Sequence, residues 1–144
     1  PSEVKALRKH VRRTLEPAVE TILAQGAPDL VVGTSKTFRS LARLTGAAPS
    51  SAGPFVQRTL TAPGLRQLIA FISRMTESDR RELDGLSSDR AGQIVAGALV
   101  AEAAMRAMKV EELDICPWAL REGVILRYLD TQAGFTPESS GKGH

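Results

Sequence analysis

The chain has 144 residues, enough for one domain with a modest core, and its apolar (42%) and charged (24%) contents are typical of a soluble globular protein. Its single cysteine, Cys116, excludes an intrachain disulfide, and the lack of an apolar run of about 18 residues argues against secretion and membrane spanning, so we expect a cytoplasmic protein with no membrane association. The net charge of +3 suits anionic partners but does not identify them.

The first third of the chain predicts helices around one short strand. Residues 3–15 carry apolar side chains at helical spacing, with the cations largely outside that stripe. Pro17 is expected to open a second helical piece that ends at Gly26, since proline is tolerated in a first turn. Residues 30–32 are a candidate buried strand, and residues 33–44 predict a polar turn followed by a helix.

The middle of the chain predicts a loop, a strand and two helices. Residues 45–54 are rich in Ala, Ser, Gly and Pro and therefore favour a loop, and residues 56–60 favour a second strand. Thr61 is an N-cap candidate for a helix that runs to about residue 75. Thr76 or Ser78 is expected to begin a short helix that ends near residues 84–85.

The last third predicts a long apolar helix, a strand and a final helix. A serine cap is expected to begin the long helix over residues 89–108, whose small side chains permit close packing. Residues 113–118 predict a third strand, and residues 122–129 a last helix. Residues 131–144 are polar and favour a disordered tail. The three short strands alternating with helices predict a helix-rich α/β domain over residues 1–130.

The polar turn after the first strand is a candidate anion site. Backbone N–H groups at a helix start are unpaired, a glycine permits close approach, and hydroxyl and ammonium groups add donors and charge. The turn lacks the second glycine of a P-loop, and the alternative is an ordinary helix start with a Ser or Thr cap. The candidate residues are Gly33, Thr34, Ser35, Lys36 and Thr37.

Two arginines, Arg90 and Arg121, each stand at a predicted helix start. The helix dipole disfavours a cation there, and an oxyanion is the ligand that would explain such a placement. The alternative for Arg90 is a solvent-facing residue that pairs with Asp89 or Glu82. The alternative for Arg121 is a residue that braces the last helix, and Glu122 would then suit the helix start.

The first helix carries five cations within nine positions, which form either a solvated face or a surface that contacts a polyanion. This face supports a second hypothesis, a non-catalytic helical module that binds polyanions or a protein partner. Aromatic residues are only 4%, so stacking on nucleic acid bases is disfavoured. The cations are Lys5, Arg8, Lys9, Arg12 and Arg13.

The remaining reactive side chains show no pattern of a catalytic or metal centre. His10 and His144 are far apart, and Cys116, which lies in an apolar run, is expected to be a buried and inert thiol. The carboxylates single out no acid/base pair, and the G-x-S-x-G pattern of a nucleophilic serine is missing. We therefore assign no catalytic residue and no metal ligand.

Two strings and a turn carry a resemblance to a known family. The strings are Ser88-Asp89-Arg90 and Cys116-Pro117-Trp118-Ala119-Leu120-Arg121-Glu122-Gly123, and the strand, turn and helix around residues 31–37 accompany them. Over about residues 3–130 the chain resembles the end of the second domain of the exopolyphosphatase/guanosine pentaphosphate phosphohydrolase (Ppx/GppA) family, in an actinobacterial version.

The resemblance implies a partial ribonuclease-H-like domain of the actin-like ATPase and sugar kinase superfamily. It implies a phosphohydrolase that releases the terminal phosphate of inorganic polyphosphate, or the 5′-phosphate of guanosine pentaphosphate, with a divalent metal (Mg²⁺ or Mn²⁺). Arg90 is then expected to face the cleft and bind phosphate, and the turn at residues 33–37 to lie near that cleft. Lys36 departs from the glycine that many relatives carry.

The resemblance also implies that essential parts lie before Pro1. These are the N-terminal domain, the catalytic glutamate and an Asp-Gly-Gly-Gly-Ser phosphate loop. Residues 1–130 are therefore expected to be the C-terminal portion of the second domain and to be inactive alone. The expected partners are the polyanionic substrate, the missing N-terminal domain of the same chain and, on exposed apolar surface, a second copy in a homodimer.

Overall fold

The computed structural model describes residues 2–134 of the chain. Helices dominate, and three short strands form a single small sheet within these residues. The elements are α1 (Ser2–Leu23), β1 (Val32–Gly33), α2 (Lys36–Leu44), β2 (Thr59–Thr61), α3 (Ala62–Ile72), α4 (Glu77–Arg81), α5 (Ile94–Ala107), β3 (Glu112–Ile115) and α6 (Leu120–Gln132), with short 3-10 turns at Ser50–Ala52 and Ser88–Arg90.

The sheet has the strand order β1-β3-β2, with β3 in the centre. β1 runs parallel to β3, with Val32 opposite Asp114, and β2 runs antiparallel to β3, with Leu60 opposite Leu113. Because β1 and β3 are parallel, their carboxyl ends lie at the same edge of the sheet. The Cys116 N–H extends this pairing by donating to the Gly33 carbonyl at 3.0 Å. That edge is where an open cavity forms.

The hydrophobic core surrounds α5, which contacts α1, α2 and α3. Leu99 of α5 and Leu65 of α3 are at most 1% exposed, so each stabilises the fold by about 2 kcal/mol. Small residues on α5 let its neighbours approach closely. A Cβ added at Gly97 would lie 2.7 Å from Cγ2 of Thr37 on α2, so this glycine is required by packing between the two helices.

Most predicted elements are found, and several caps are where the sequence predicted them. The Thr61 side chain accepts a hydrogen bond from the Gly64 N–H at the start of α3. Thr76 and Asp79 form a capping box at the start of α4. The hydrogen bond from Thr76 is the main reason that the pKa of Asp79 lies below its ordinary value. The strands are shorter than predicted or are shifted by a few residues.

The predicted break at Pro17 is wrong, because α1 continues through it to Leu23. A proline inside a helix removes one hydrogen bond and costs about 3 kcal/mol. Val11 before the proline and Val19 after it are both buried, so packing on each side holds the helix together. Pro17 itself is exposed and so lies on the solvent side of the helix.

The predicted helix over residues 89–108 is also wrong at its beginning. Arg90 ends a 3-10 turn, the next residues form turns, and α5 begins only at Ile94 without a side-chain cap. Gly92 disfavours a helix there, and Arg80 donates to the Ala91 carbonyl at 2.9 Å, which fixes the turn. Arg90 therefore does not stand at the start of an α-helix, and no helix dipole disfavours its charge there. Arg121 does lie in the first turn of α6.

Two further expectations need correction. Cys116 is partly exposed rather than buried, because β3 ends at Ile115 and the chain then leaves the core. α6 extends to Gln132 and so includes the first residues of the segment that was predicted to be a disordered tail. The rest of that segment, from residue 135, lies outside the described residues.

Candidate functional site

An open cavity of about 600 Å³ lies beside the carboxyl ends of β1 and β3. Its walls come from α2, the loop before β2, the segment before α5 and the residues after β3. Its lining is strongly basic, with a single carboxylate, Asp84, among the described residues. The cations that line it are Lys36, Arg39, Arg43, Arg58 and Arg90.

Arg58 braces the rim of the cavity. Its guanidinium donates to four backbone carbonyl oxygens of the preceding loop, those of Ala48 (2.8 Å), Pro49 (2.7 Å), Gly53 (3.0 Å) and Val56 (2.8 Å). The planar fork of arginine suits this task because its five N–H groups point in fixed directions. Most donors of Arg58 are therefore occupied, and its role is to shape the loop.

Two arginines of α2 are also engaged. Arg43 forms an ion pair with Asp84 and donates to the Ala47 carbonyl at 3.3 Å. Arg39 donates one N–H to the Pro117 carbonyl at 2.8 Å and so ties α2 to the segment after β3. Because that bond involves one terminal nitrogen, the other donors of Arg39 form no hydrogen bond with the described residues.

The side chains of Arg90 and Lys36 form no hydrogen bond and no ion pair with any residue between 2 and 134. Arg90 is half-buried in the cavity wall, whereas Lys36 is exposed at its mouth. Both charges act on Asp89, whose pKa lies below its ordinary value first because the Ser87 hydroxyl donates to it and also because Arg90 and Lys36 attract its charged form. The two cations thus share one region of positive potential and are free to bind an anion.

The structure places the predicted turn residues in different surroundings. Among them, only Lys36 lines the cavity. Gly33 is buried, and a Cβ there would lie 2.9 Å from the Phe38 ring, so this glycine is required for packing. The Ser35 hydroxyl accepts a hydrogen bond from the Phe38 N–H at 3.2 Å and caps α2, Thr34 is exposed, and Thr37 packs toward α5.

Arg121 lies outside the cavity lining, and the structure does not bring it together with Arg90. Its side chain is 85% exposed, and its Nε lies 3.6 Å from a carboxylate oxygen of Glu122. Glu122 in turn accepts a hydrogen bond from the Ala119 N–H at 2.9 Å, which begins α6 and is the main reason for its lowered pKa. Glu122 therefore acts as the helix-start residue that the sequence suggested.

Sequence reasoning missed three of the five cavity cations. Arg39 and Arg43 follow Lys36 at positions i+3 and i+7, which places all three on one face of α2. This spacing indicates a basic face on α2 and could have been found in the sequence. Arg58 gave no signal, because its importance depends on a loop that folds back on it.

The described residues do not fit a metal centre of their own. No group of three or more His, Cys, Asp or Glu side chains within residues 2–134 could hold a metal ion. We therefore assign no metal ligand among these residues. In the same part of the chain, no helix is both long and apolar enough to cross a membrane.

A cation-lined cavity at the carboxyl ends of parallel strands is typical of α/β proteins that bind anionic ligands. Comparison with known proteins specifies the class further. The model of the Ppx/GppA phosphatase family matches residues 1–132, and the chain belongs to that family. This result confirms the resemblance found in the sequence.

Known relatives agree with this assignment. The chain is 74% identical over 121 residues to "Exopolyphosphatase 1" of Mycobacterium tuberculosis, which covers 84% of this chain and 35% of the relative. An exopolyphosphatase structure from Cytophaga hutchinsonii matches with a TM-score of 0.77 at 18% identity, over 91% of this chain and 43% of the other. The Aquifex aeolicus family member matches with a TM-score of 0.70 at 20% identity, over 86% and 40%.

These matches confirm the fold class, a helix-rich part of the actin-like ATPase fold with a small sheet. The chain spans about one third of the length of the M. tuberculosis relative.

Proposed function

We propose that this chain is part of a cytoplasmic hydrolase that releases the terminal phosphate of inorganic polyphosphate, and that its basic cavity forms one wall of the phosphate-binding cleft. Family membership and the 74% identity to a protein named exopolyphosphatase 1 support the activity. The observation that carries the assignment of the cleft is the pair Arg90 and Lys36, two cations that line one cavity and have no partner among the described residues.

The chemistry of the substrate explains this charge. Phosphoryl transfer depends on neutralising the phosphate oxygens and on aligning the attacking water. The Arg90 guanidinium can hold two oxygens of one phosphate through parallel N–H donors, and the Lys36 ammonium acts as a point charge beside it. Arg39 adds donors on the same face of α2.

The group that activates water is proposed to lie outside this chain. Asp84 is the carboxylate among the described residues that line the cavity, and it is paired with Arg43. The missing acid, and any Mg²⁺ or Mn²⁺, would come with the N-terminal domain of the same protein. The isolated chain should accordingly bind polyphosphate weakly, with an affinity that falls steeply as salt rises, and should not hydrolyse it.

Inorganic polyphosphate is preferred over guanosine pentaphosphate as the substrate. No aromatic side chain lines the described cavity, and a guanine base commonly stacks on one. A polymer of phosphates needs only the cations that the cavity contains. The name of the M. tuberculosis relative supports the same choice.

The experiment is phosphate release from polyphosphate by the full-length protein that contains this sequence. Loss of one donor to a developing charge commonly lowers turnover about 100-fold or more, so we expect a reduction of that order for Arg90→Ala with nearly unchanged thermal stability. The control is Arg81→Ala, since Arg81 is an exposed arginine that pairs with Glu77 within the described part of the chain and does not line the cavity.

Equal activity of Arg90→Ala and the control at every chain length would refute the role of Arg90. Appreciable hydrolysis by the isolated chain would refute the proposal that the water-activating acid lies elsewhere. Faster turnover of guanosine pentaphosphate than of polyphosphate would reassign the substrate.

A further inference from the structure

A second basic groove lies between α1 and α5, on residues that the proposed cleft does not use. Its volume is about 540 Å³, and its floor includes Ala103 and Ala107, whose small side chains leave it open. Four cations and one carboxylate line it within the described part of the chain. The cations are Arg8, Lys9, Arg12 and Arg106.

The single carboxylate, Glu102, is buried and already neutralised. Its side chain is 10% exposed, and Arg8 donates to one of its oxygens at 2.5 Å. Nη2 of Arg106 lies 3.7 Å from the other oxygen. These ion pairs hold Arg8 and Arg106 in place at the groove, where their side chains are still 41% and 73% exposed.

Lys9 and Arg12 form no ion pair with any described residue, so the groove keeps an excess of positive charge. No aromatic side chain lines it, which disfavours the stacked bases of a single-stranded nucleic acid. The basic surface also continues beyond the groove. A neighbouring cavity shares Glu102 and Arg106 with it and adds two cations, Arg66 and Lys109, and one carboxylate, Glu111.

An extended basic surface of this kind suits a polymer of phosphates better than a single ion. α5 has 14 residues and is therefore roughly 20 Å long. Arg90 precedes its first residue, whereas Glu102 and Arg106 lie in its second half. A ligand that contacts both places has to span much of this length, which a single phosphate does not do and a long polymer of phosphates does.

We propose that the α1–α5 groove is a second binding site for the polyphosphate chain, remote from the reacting terminal phosphate. This proposal rests on the proposed function for the identity of the ligand. The groove would raise the affinity for long substrates and leave short ones unaffected, because only long chains reach it. The first helix then contributes to preference for chain length and not to turnover.

The experiment uses the full-length protein with Lys9 and Arg12 both replaced by alanine. These residues lack ion pairs in the described structure, so their removal leaves Glu102 neutralised. The matched control replaces Lys5 and Arg13, which lie on the same helix, are exposed, and line neither the groove nor its neighbour. Both double variants lose the same charge. The probes are long-chain polyphosphate, tripolyphosphate and a random duplex DNA.

We expect Lys9→Ala/Arg12→Ala to raise KM for long-chain polyphosphate about tenfold at low salt, with unchanged kcat and unchanged KM for tripolyphosphate. The slope of log affinity against log salt should become shallower by about 1.4, since each phosphate contact in a single-stranded polyanion contributes about 0.7. The control double variant should change the KM for long-chain polyphosphate and the salt slope only by the amount that follows from the loss of two positive charges.

Two outcomes overturn the proposal. Equal effects of the two double variants would show that net charge alone matters, and a larger loss of DNA binding than of polyphosphate binding would assign the groove to nucleic acid. Failure of the proposed function is distinguishable, because Arg90→Ala would then leave tripolyphosphate hydrolysis unchanged whatever happens at the groove.

Discussion

The contact between Gly97 and Thr37 gives a sharp test of how α2 is positioned. α2 carries Lys36, and the segment before α5 carries Arg90, so the spacing of these two helices sets the separation of the two cations. A methyl group at position 97 would lie 2.7 Å from Cγ2 of Thr37, well inside ordinary contact. Gly97→Ala should therefore push α2 away from α5 and lower the phosphate affinity of the cavity.

Two opposing terms determine the change in stability. Alanine favours a helix over glycine by about 1 kcal/mol. Overpacking in a closely packed core costs about 1–3 kcal/mol, and a β-branched threonine has little freedom to move aside. We expect Gly97→Ala to lower the free energy of unfolding by about 0–2 kcal/mol, the difference between these terms. Thr37→Ser removes the clashing methyl group, so the double variant should recover the lost stability.

The assay is urea unfolding of the isolated chain, followed by circular dichroism, together with phosphate binding. Gly123→Ala is the control, since nothing within the described residues lies within 4 Å of a Cβ at that position. It should increase helicity without altering phosphate affinity. If Gly97→Ala stabilised the chain by the full helix-propensity term, with the same effect in a Thr37→Ser background, the inferred close packing would be refuted.

Three further predictions address the cavity and the surface. Phosphate binding should raise the pKa of Asp89, because the bound anion offsets the attraction that Arg90 exerts on this carboxylate. An NMR titration with and without phosphate measures the shift. An unchanged pKa of Asp89 would place the anion elsewhere. Arg58→Lys should weaken the loop by about 1–3 kcal/mol and speed its amide exchange, since an ammonium cannot reach four carbonyls at once; unchanged exchange would exclude the bracing role. The isolated chain should self-associate through α6, where the apolar side chains of Ile125 and Leu129 are 53% and 54% exposed. Replacing both by glutamate should lower the self-association that sedimentation velocity measures. Equal self-association of the variant would place the contact elsewhere.

The sequence predicted the start of a helix correctly where the residues that form it are close together in the chain. The N-caps at Thr61 and Thr76 were identifiable because the capping side chain and its partner are three residues apart. The continuation of α1 through Pro17 was not, because it depends on contacts with a helix that lies far along the chain. The turn before α5 was not predicted for the same reason, since the hydrogen bond that fixes it comes from Arg80, which lies outside this segment.

The candidate site was predictable only in part. Arg90 and Lys36 were selected from motifs, and both line the cavity. The glycine and threonine on either side of the same turn were selected for the same reason, yet they face the core and α5. A sequence pattern of this kind indicates that a turn exists, but the direction of each side chain depends on how the flanking helix packs.

The order in which the chain folds follows from the way that the cavity is assembled. Arg39 and the Pro117 carbonyl are hydrogen-bonded although 78 positions separate them, and the parallel pairing of β1 with β3 joins segments that are even farther apart in the chain. Closing such a long loop costs conformational entropy, and neither contact can form before β3 and the residues after it have been synthesised. Ligand-binding competence should therefore appear late during synthesis, after the residues that follow β3 have left the ribosome.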